Sequence, residues 1–370
     1  MAGIYLHIPF CKQACHYCNF HFSTSMQYRE EVVAAIAREL ELQSAYLRGK
    51  PVESIYFGGG TPSLLKPEEL DLLFRTIENL HDIHPDAEIT LEANPDDLQE
   101  DRLAYLRDSA VNRLSIGIQS FSEQDLQFMN RAHNAVEAGH CIDLAHKYGF
   151  ENLTVDLIYG TPTMSDDQWA ENIKKVLAYG VPHLSCYCLT VEPSTALDHF
   201  VKTGKAKPVN EEQAERQFVY LMETLDKAGY DHYEISNFAR PGHYAVHNSA
   251  YWLGKPYLGV GPGAHSYNGE SRQWNVANNT RYRKALAEDQ LPFERELLTE
   301  EQRYNEYVLT RLRTRWGVVP EDLPTDYREY FLKQIQTYLK AGQVECLKGA
   351  YLLTKTGKLL ADRIAMELFF

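Results

Sequence analysis

Six short β-rich runs, each followed by a stretch of helical spacing, restrict what this chain can fold into. They are GIYLHI (3–8), SIYFG (54–58), EITLEA (88–93), RLSIGI (113–118), LTVDLI (153–158) and HLSCYCLT (183–190). Between them apolar residues recur every three or four positions, as in Val33, Ile36, Leu40 and Leu47, or Trp169, Ile173, Val176 and Leu177. That is the period of an amphipathic helix. After the sixth run, Phe218, Leu221, Met222 and Leu225 repeat the spacing. Strands alternating with helices form right-handed βαβ units around a parallel sheet. Six such units can build a doubly wound open sheet or an incomplete barrel.

The placement of the unusual residues separates the two. A cysteine-rich loop follows the first run, GGGTP follows the second, Glu92 ends the third and Gln119 ends the fourth. Asp156 lies in the fifth, just before IYGTP, and Cys186 and Cys188 lie on the sixth. A (β/α) barrel gathers its site from loops at the carboxyl ends of many strands, whereas a doubly wound sheet concentrates it at one switch point. The predicted fold class is α/β: an incomplete (β/α)6 TIM-like barrel followed by a smaller C-terminal unit.

Residues 1–235 form the barrel core on this reading. From 236 to 285 the texture changes to a Tyr-, His- and Gly-rich connecting region without a long helical period. Residues 286–370 read as a winged-helix-like domain. Helical spacing at Tyr304, Tyr307 and Val308, then at Phe331, Ile335, Tyr338 and Leu339, precedes a hairpin with a Lys348-Gly349 turn and a last helix begun by Thr356. Such units often bind DNA, but acidic residues outnumber basic ones here, which favours a lid or docking role. The formal charge of −14 likewise argues against nonspecific binding to nucleic acid or anionic membranes. No apolar run approaches the ~20 residues that span a bilayer, and MAGIYLHIPF lacks the pattern of a secretory signal. The chain is expected in the cytoplasm, with no integral membrane segment.

Seven cysteines are too few and too unevenly spaced for a disulfide framework. Cys141 and Cys346 are predicted to be buried apolar filler, and Cys186 and Cys188 to pack in the barrel. Cys11, Cys15 and Cys18, spaced C-x3-C-x2-C, read as metal ligands. Three thiolates are one short of a closed zinc site, which His16, His21 or a sixth-strand cysteine could complete. They also suit a [4Fe–4S] cluster with one iron open. Spacing alone fits either.

YFGGGTPS places three glycines directly after a strand. They support a tight turn, and without a following Gly-Lys-[Ser/Thr] they are not a P-loop. Close approach of backbone to a flat or zwitterionic ligand remains.

These segments, with IYLHIPFCKQACHYC, LEANPDDL, RLSIGIQSF, MNRAH, VDLIYGTP and YEISNFA, resemble the radical S-adenosylmethionine (SAM) enzymes. Within them they are similar to the branch of oxygen-independent coproporphyrinogen III oxidase and the related haem chaperones. The resemblance implies a [4Fe–4S] cluster on Cys11, Cys15 and Cys18, whose open iron takes the amino and carboxylate groups of SAM. It implies that Gly58, Gly59, Gly60 and Thr61 lie along the methionine moiety, and that Tyr5, Glu92, Gln119, Arg131 and Asp156 contact SAM. Arg131 suits a bidentate pair with a carboxylate; it could equally be a surface helix residue. No residue is assigned to catalysis itself.

The oxidases carry a further cysteine two positions after the third ligand, where this chain has Phe20, and an N-terminal extension ahead of the first strand. Both departures match the chaperone-like subgroup. So does HNSAYW (247–252), which resembles its H-N-x-x-Y-W segment. The resemblance therefore implies a carrier of haem or another porphyrin, with a haem-acceptor protein as partner; the alternative is decarboxylation of coproporphyrinogen III. His247 could ligate haem iron, with Tyr251 and Trp252 stacking on the ring. The same residues also fit an irregular loop sealed by aromatics. His243 and His265 are further ligand candidates.

Overall fold

The computed structural model describes residues 2–370. Its first part alternates β1 (Ala2–Ile8), α1 (Arg29–Leu42), β2 (Val52–Gly59), α2 (Pro67–Leu80), β3 (Ile83–Ala93), α3 (Glu100–Asp108) and β4 (Arg113–Gln119). There follow α4 (Glu123–Phe128), α5 (Ala135–Lys147), β5 (Leu153–Tyr159), α6 (Asp166–Ala178), β6 (His183–Cys188), α7 (Ala196–Lys202) and α8 (Glu211–Lys227). Strands β1 to β6 are neighbours in chain order, each parallel to the next. A doubly wound sheet would reverse its order partway. The unbroken order is that of a barrel wall, and the six sequence-predicted strands all lie in it.

Alternation along each strand gives the wall two different faces. Ile4, Leu6 and Ile8, Ile55 and Phe57, Leu114, Ile116 and Ile118, and Val155 and Leu157 are buried in one apolar cluster with the helices. Cys186 joins that cluster and Cys188 packs against it, as packing residues should. The opposite face is polar and aromatic: Tyr5, Tyr56, Glu92, Ser115, Asp156 and Ser185 line the lumen.

The wall continues past both ends. Next in the chain come β7 (Asp231–Glu234), β8 (Asn237–Ala239), α9 (Val246–Trp252), β9 (Tyr257–Val260), β10 (His265–Tyr267), β11 (Ser271–Asn275), α10 (Asn279–Ala287) and β12 (Phe293–Leu297). Strand β8 pairs antiparallel with β6, while β9 pairs parallel with β1 and leads into β10, β11 and β12. The sheet thus has twelve strands and two free ends, so the barrel is incomplete. Glu39 of α1 anchors this extension: it is fully buried and accepts from the Gly261 amide at 2.8 Å, the Asn275 side chain at 2.8 Å, Gln43 at 2.7 Å and the Tyr282 hydroxyl.

The C-terminal unit has its own core, drawn from Tyr304, Val308, Leu312, Phe331, Ile364 and their neighbours. It comprises α11 (Glu300–Leu312), α12 (Thr325–Gln334), α13 (Gln336–Lys340), β13 (Val344–Leu347), β14 (Ala350–Leu353), α14 (Lys355–Lys358) and α15 (Ala361–Glu367). Lys348 and Gly349 turn the hairpin with φ of 52° and 87°, the left-handed pair a two-residue turn requires. Two expectations fail here. The last helix is broken at Leu359–Leu360 and its first piece is capped by Thr354, which accepts from the Gly357 amide, not begun by Thr356. Cys346 is exposed on β13 rather than buried, because a two-stranded hairpin has an open face.

Candidate functional site

The loop after β1 carries Cys11, Cys15 and Cys18, and it is held from several sides. The Cys11 amide bonds to Ser23 O at 3.1 Å, closing the loop on itself. The His16 amide bonds to Met129 O at 3.1 Å, and the Asn130 side chain donates to Ala14 O at 2.7 Å. MNRAH, which follows α4, therefore shapes the cysteine loop. The three thiols are free and partly exposed. They lie near enough for their charges to act on one another, and among the described residues no group of three or more His, Cys, Asp or Glu is set to hold a single ion. His16 bonds to Phe128 O and His21 to Asn279, so neither turns toward the thiols as a fourth ligand. Neither histidine completes a zinc site in this arrangement. Three thiols without a fourth protein ligand suit a [4Fe–4S] cluster with one iron open. Burial raises the Cys11 thiol to about 11 and raises Cys18 as well, with neighbouring thiols adding to both; a bound metal would have to displace these protons.

The glycine run ends β2 beside this loop. Gly59 has φ of 102°, and a Cβ there would lie 2.6 Å from the His7 ring. At Gly60 a Cβ would meet Phe10 O at 2.6 Å. At Gly58 it would crowd Tyr56, Tyr5 and Glu92. The glycines let the end of β2 close on β1 and the cysteine loop, and Thr61 is buried where its hydroxyl reaches Cys11.

Beneath the thiols lie two enclosed acids with no basic side chain bonded to them. Glu92 accepts from the Tyr56 hydroxyl at 2.7 Å and the Gly59 amide at 3.2 Å. Burial raises it to about 7, with Asp156 adding to the shift. Burial likewise raises Asp156 to about 6, against the pull of nearby Ser185 and of the Arg113 and Arg131 guanidiniums. Tyr5 stacks on Tyr56 with centroids 6.0 Å apart. A lumen carboxylate without a cation of its own, as Glu92 is, suits a cationic ligand, and a sulfonium bearing an ammonium group is one. The residues present thus fit a cluster at the rim and SAM in the lumen.

Arg131 is partly buried, yet it meets no carboxylate. It donates to Asn94 Oδ1 at 2.6 Å, Gly117 O at 2.7 Å and Cys15 Sγ at 3.3 Å, and its Nε has no partner. It is no surface residue. Gln119 is buried with φ of 64°, a left-handed conformation for a side-chain-bearing residue at the end of β4. Strain of this kind gathers at functional sites, and Gly117, against which the Gln119 amide packs, leaves it room.

HNSAYW forms helix α9 and lies at the opposite mouth, where the strands begin. Glu88 accepts from the amides of Val246 and His247 and plants the helix on the barrel floor. The His247 ring points inward against Tyr5 and Tyr56, with Nδ1 2.9 Å from Ser54 Oγ, and burial lowers its pKa to about 4. Tyr251 faces outward and is 49% exposed. Trp252 lies under the Arg313 guanidinium. The three residues do not share one face, and His247 is a plug in the floor rather than a ligand presented to solvent. His243 is exposed and His265 lies on β10.

Several residues of the lumen escaped the sequence reading: Tyr56, Asn94, Ser115 and Ser185 around the acids, and Arg113, Thr154 and His183 bonded in a row on the floor. Their signal was present, since each except Asn94, which follows β3, occupies the inward-facing position of its strand, alternating with the apolar set.

The family model described as the Radical SAM superfamily matches residues 5–191. A protein of Mycobacterium tuberculosis named Heme chaperone HemW is 35% identical, over 99% of this chain and 94% of its own. One of the same name from Bacillus subtilis is 33% identical over 98% of each. Among solved structures, the Escherichia coli coproporphyrinogen III oxidase HemN, a radical SAM enzyme by its description, superimposes with a TM-score of 0.86 at 24% identity, over 100% of this chain and 90% of that one; this likeness bears on the fold. On the family match and the near full-length relatives together, the chain belongs to the radical SAM superfamily, in the family of the Heme chaperone HemW proteins.

Proposed function

We propose that this protein binds haem reversibly and passes it to an acceptor protein, and that its cluster and SAM serve that role rather than porphyrin decarboxylation. The observation that carries the reading is the relationship, over almost the whole of both chains, to proteins named as haem chaperones. Phe20 supports it: where the oxidase pattern has a further thiol, this loop presents an aromatic ring that is 67% exposed.

Cys11, Cys15 and Cys18 would hold a [4Fe–4S] cluster, and Tyr5, Gly58, Gly59, Gly60, Thr61, Glu92, Gln119, Arg131 and Asp156 would surround SAM. When bound, the pair supplies one-electron chemistry at the sulfonium. The chain supplies the rest. Glu92 and Asp156 offset positive charge in an enclosed lumen, Arg131 holds the rim in shape, and α9 closes the floor against water. Tyr251 and Trp252 would contact the haem from outside, with His247 bracing their helix from within. The free thiols suit a reducing compartment, so the reading includes a cytoplasmic location. It also includes a division of labour between the barrel (1–235), the connecting region (236–285) and a C-terminal docking unit (286–370).

One anaerobic experiment tests it. Reconstituted protein should take up haem with about one-to-one stoichiometry, and should form no protoporphyrinogen from coproporphyrinogen with SAM and a strong reductant present. Steady decarboxylation would instead make it an oxidase.

A further inference from the structure

We infer that the haem lies in the open depression beside the barrel formed by β10, β11 and β12, with His265 as its iron ligand; this rests on the haem-binding function proposed above.

The lumen face of the sheet does not stop at β1. Gly3 pairs with Tyr257 on β9, Tyr257 with Tyr267 on β10, and His265 with Trp274 on β11. The other face of this wing, with Ser266, Ser271, Gln273 and Asn275, is buried, and its Gln273 and Asn275 bond to α1. The near face is left open. It bounds an open depression of about 290 Å³ lined by His265, Arg272, Trp274 and Glu296.

His265 is the free imidazole on this surface. His7 is bonded to His21 O, His183 to Thr154 and Tyr233, and His247 to Ser54. The His265 ring is exposed and bonded to no protein group. Partial burial and nearby Arg272 keep it below its ordinary pKa, so it stays neutral, the form that binds metal. Trp274 braces it broadside, ring centroids 6.3 Å apart and planes 29° apart. A macrocycle ligated end-on would lie across the edges of both rings.

The charges agree with this pose. Arg272 is paired with Glu296 at 2.7 Å and with Glu306 of α11, so the inner end carries two carboxylates to one guanidinium. The surplus offsets the single positive charge of a ferric porphyrin core. It also turns the ring's own carboxylates outward to solvent. Tyr257 and Tyr251, whose rings are 5.7 Å apart, line a separate small cleft with Gly3 and His247, and both feel Arg272 and Glu306. The outward tyrosine of HNSAYW therefore lies near the Arg272–Glu306 pair that closes the inner end of the His265 depression.

Ferric haem is titrated into the full-length protein and into His265→Ala, followed by absorption, with the cluster's absorbance as a check on folding. The expected result is imidazole-type ligation in the unmodified protein. His265→Ala should bind haem at least tenfold more weakly and lose that spectrum, and free imidazole should restore it. Haem binding that is unchanged in affinity and spectrum by His265→Ala overturns this site and leaves the carrier function standing. No haem binding by the unmodified protein overturns both.

Discussion

Arg131 donates to the sulfur of Cys15 at 3.3 Å while its other terminal nitrogen is clamped between Asn94 Oδ1 and Gly117 O. The segment after α4, the end of β4 and the cysteine loop thus share one guanidinium. Lysine cannot reproduce this fork from a single ammonium. Arg131→Lys should lower stability by roughly 2 kcal/mol, the scale of a lost hydrogen bond to a charged group. It should also weaken the change that SAM produces in the electron paramagnetic resonance spectrum of the reduced cluster. Denaturant unfolding and a SAM titration of that spectrum measure the two effects.

Cys11, Cys15 and Cys18 each supply one thiol to the rim, so replacing any one with Ala should abolish the brown absorbance of the anaerobically reconstituted protein. Cys186→Ala should leave it intact, since that side chain packs in the apolar cluster outside the wall. Iron and sulfide analysis should give about four of each per chain, as for one [4Fe–4S] cluster.

Gly59→Val should fail for a defined reason. Its φ of 102° suits glycine, and a Cβ there would strike the His7 ring. His7 Nε2 is 2.8 Å from His21 O and so fixes the far side of the cysteine loop. The expected result is roughly 2 kcal/mol of lost stability from backbone strain alone, together with poor cluster retention. Thermal unfolding and cluster content test this directly.

Glu92 and Asp156 keep their protons to higher pH in the folded protein, about 7 and about 6, than in the unfolded chain. Between the unfolded value near 4 and those folded values the native state binds more protons, so the stability of ligand-free protein should fall as pH rises. A cationic ligand reverses the trend, because it favours the ionised acids. SAM affinity should rise about tenfold from pH 6 to pH 7.5, following mainly the ionisation of Glu92. Equilibrium binding across that range checks the sign, and an affinity that is flat with pH would remove these acids from the SAM site.

Arg313 joins the C-terminal unit to the rest of the chain. It meets buried Glu234 at 3.2 Å and Asp362 at 2.9 Å, and its guanidinium lies over Trp252. Arg313→Ala leaves Glu234 without its cation, at a cost of about 3 kcal/mol for a broken buried pair. Limited proteolysis should then cut between the barrel and residues 300–370 faster than in the unmodified protein.

Local rules made much of this molecule legible from its sequence. The period-2 and period-3.6 patterns located the six wall strands and most helices, because each element must turn an apolar face to the core whatever its neighbours are. The C-x3-C-x2-C spacing, the glycines after β2 and the Lys348-Gly349 turn could be read likewise, since sulfur chemistry and left-handed backbone are properties of single residues. What the tertiary structure decided was which residues from distant segments meet. Arg131 found a thiol, an amide and a carbonyl instead of a carboxylate, because α4 packs on the cysteine loop. His247 turned into the floor because Glu88, far away in the chain, anchors the start of its helix. Cys346 stayed exposed because nothing covers its hairpin. The wing that carries His265 joined the barrel only because β9 pairs with β1 across more than 250 residues. No local pattern encodes such a contact: it depends on the surfaces left unpaired once the rest of the sheet has formed.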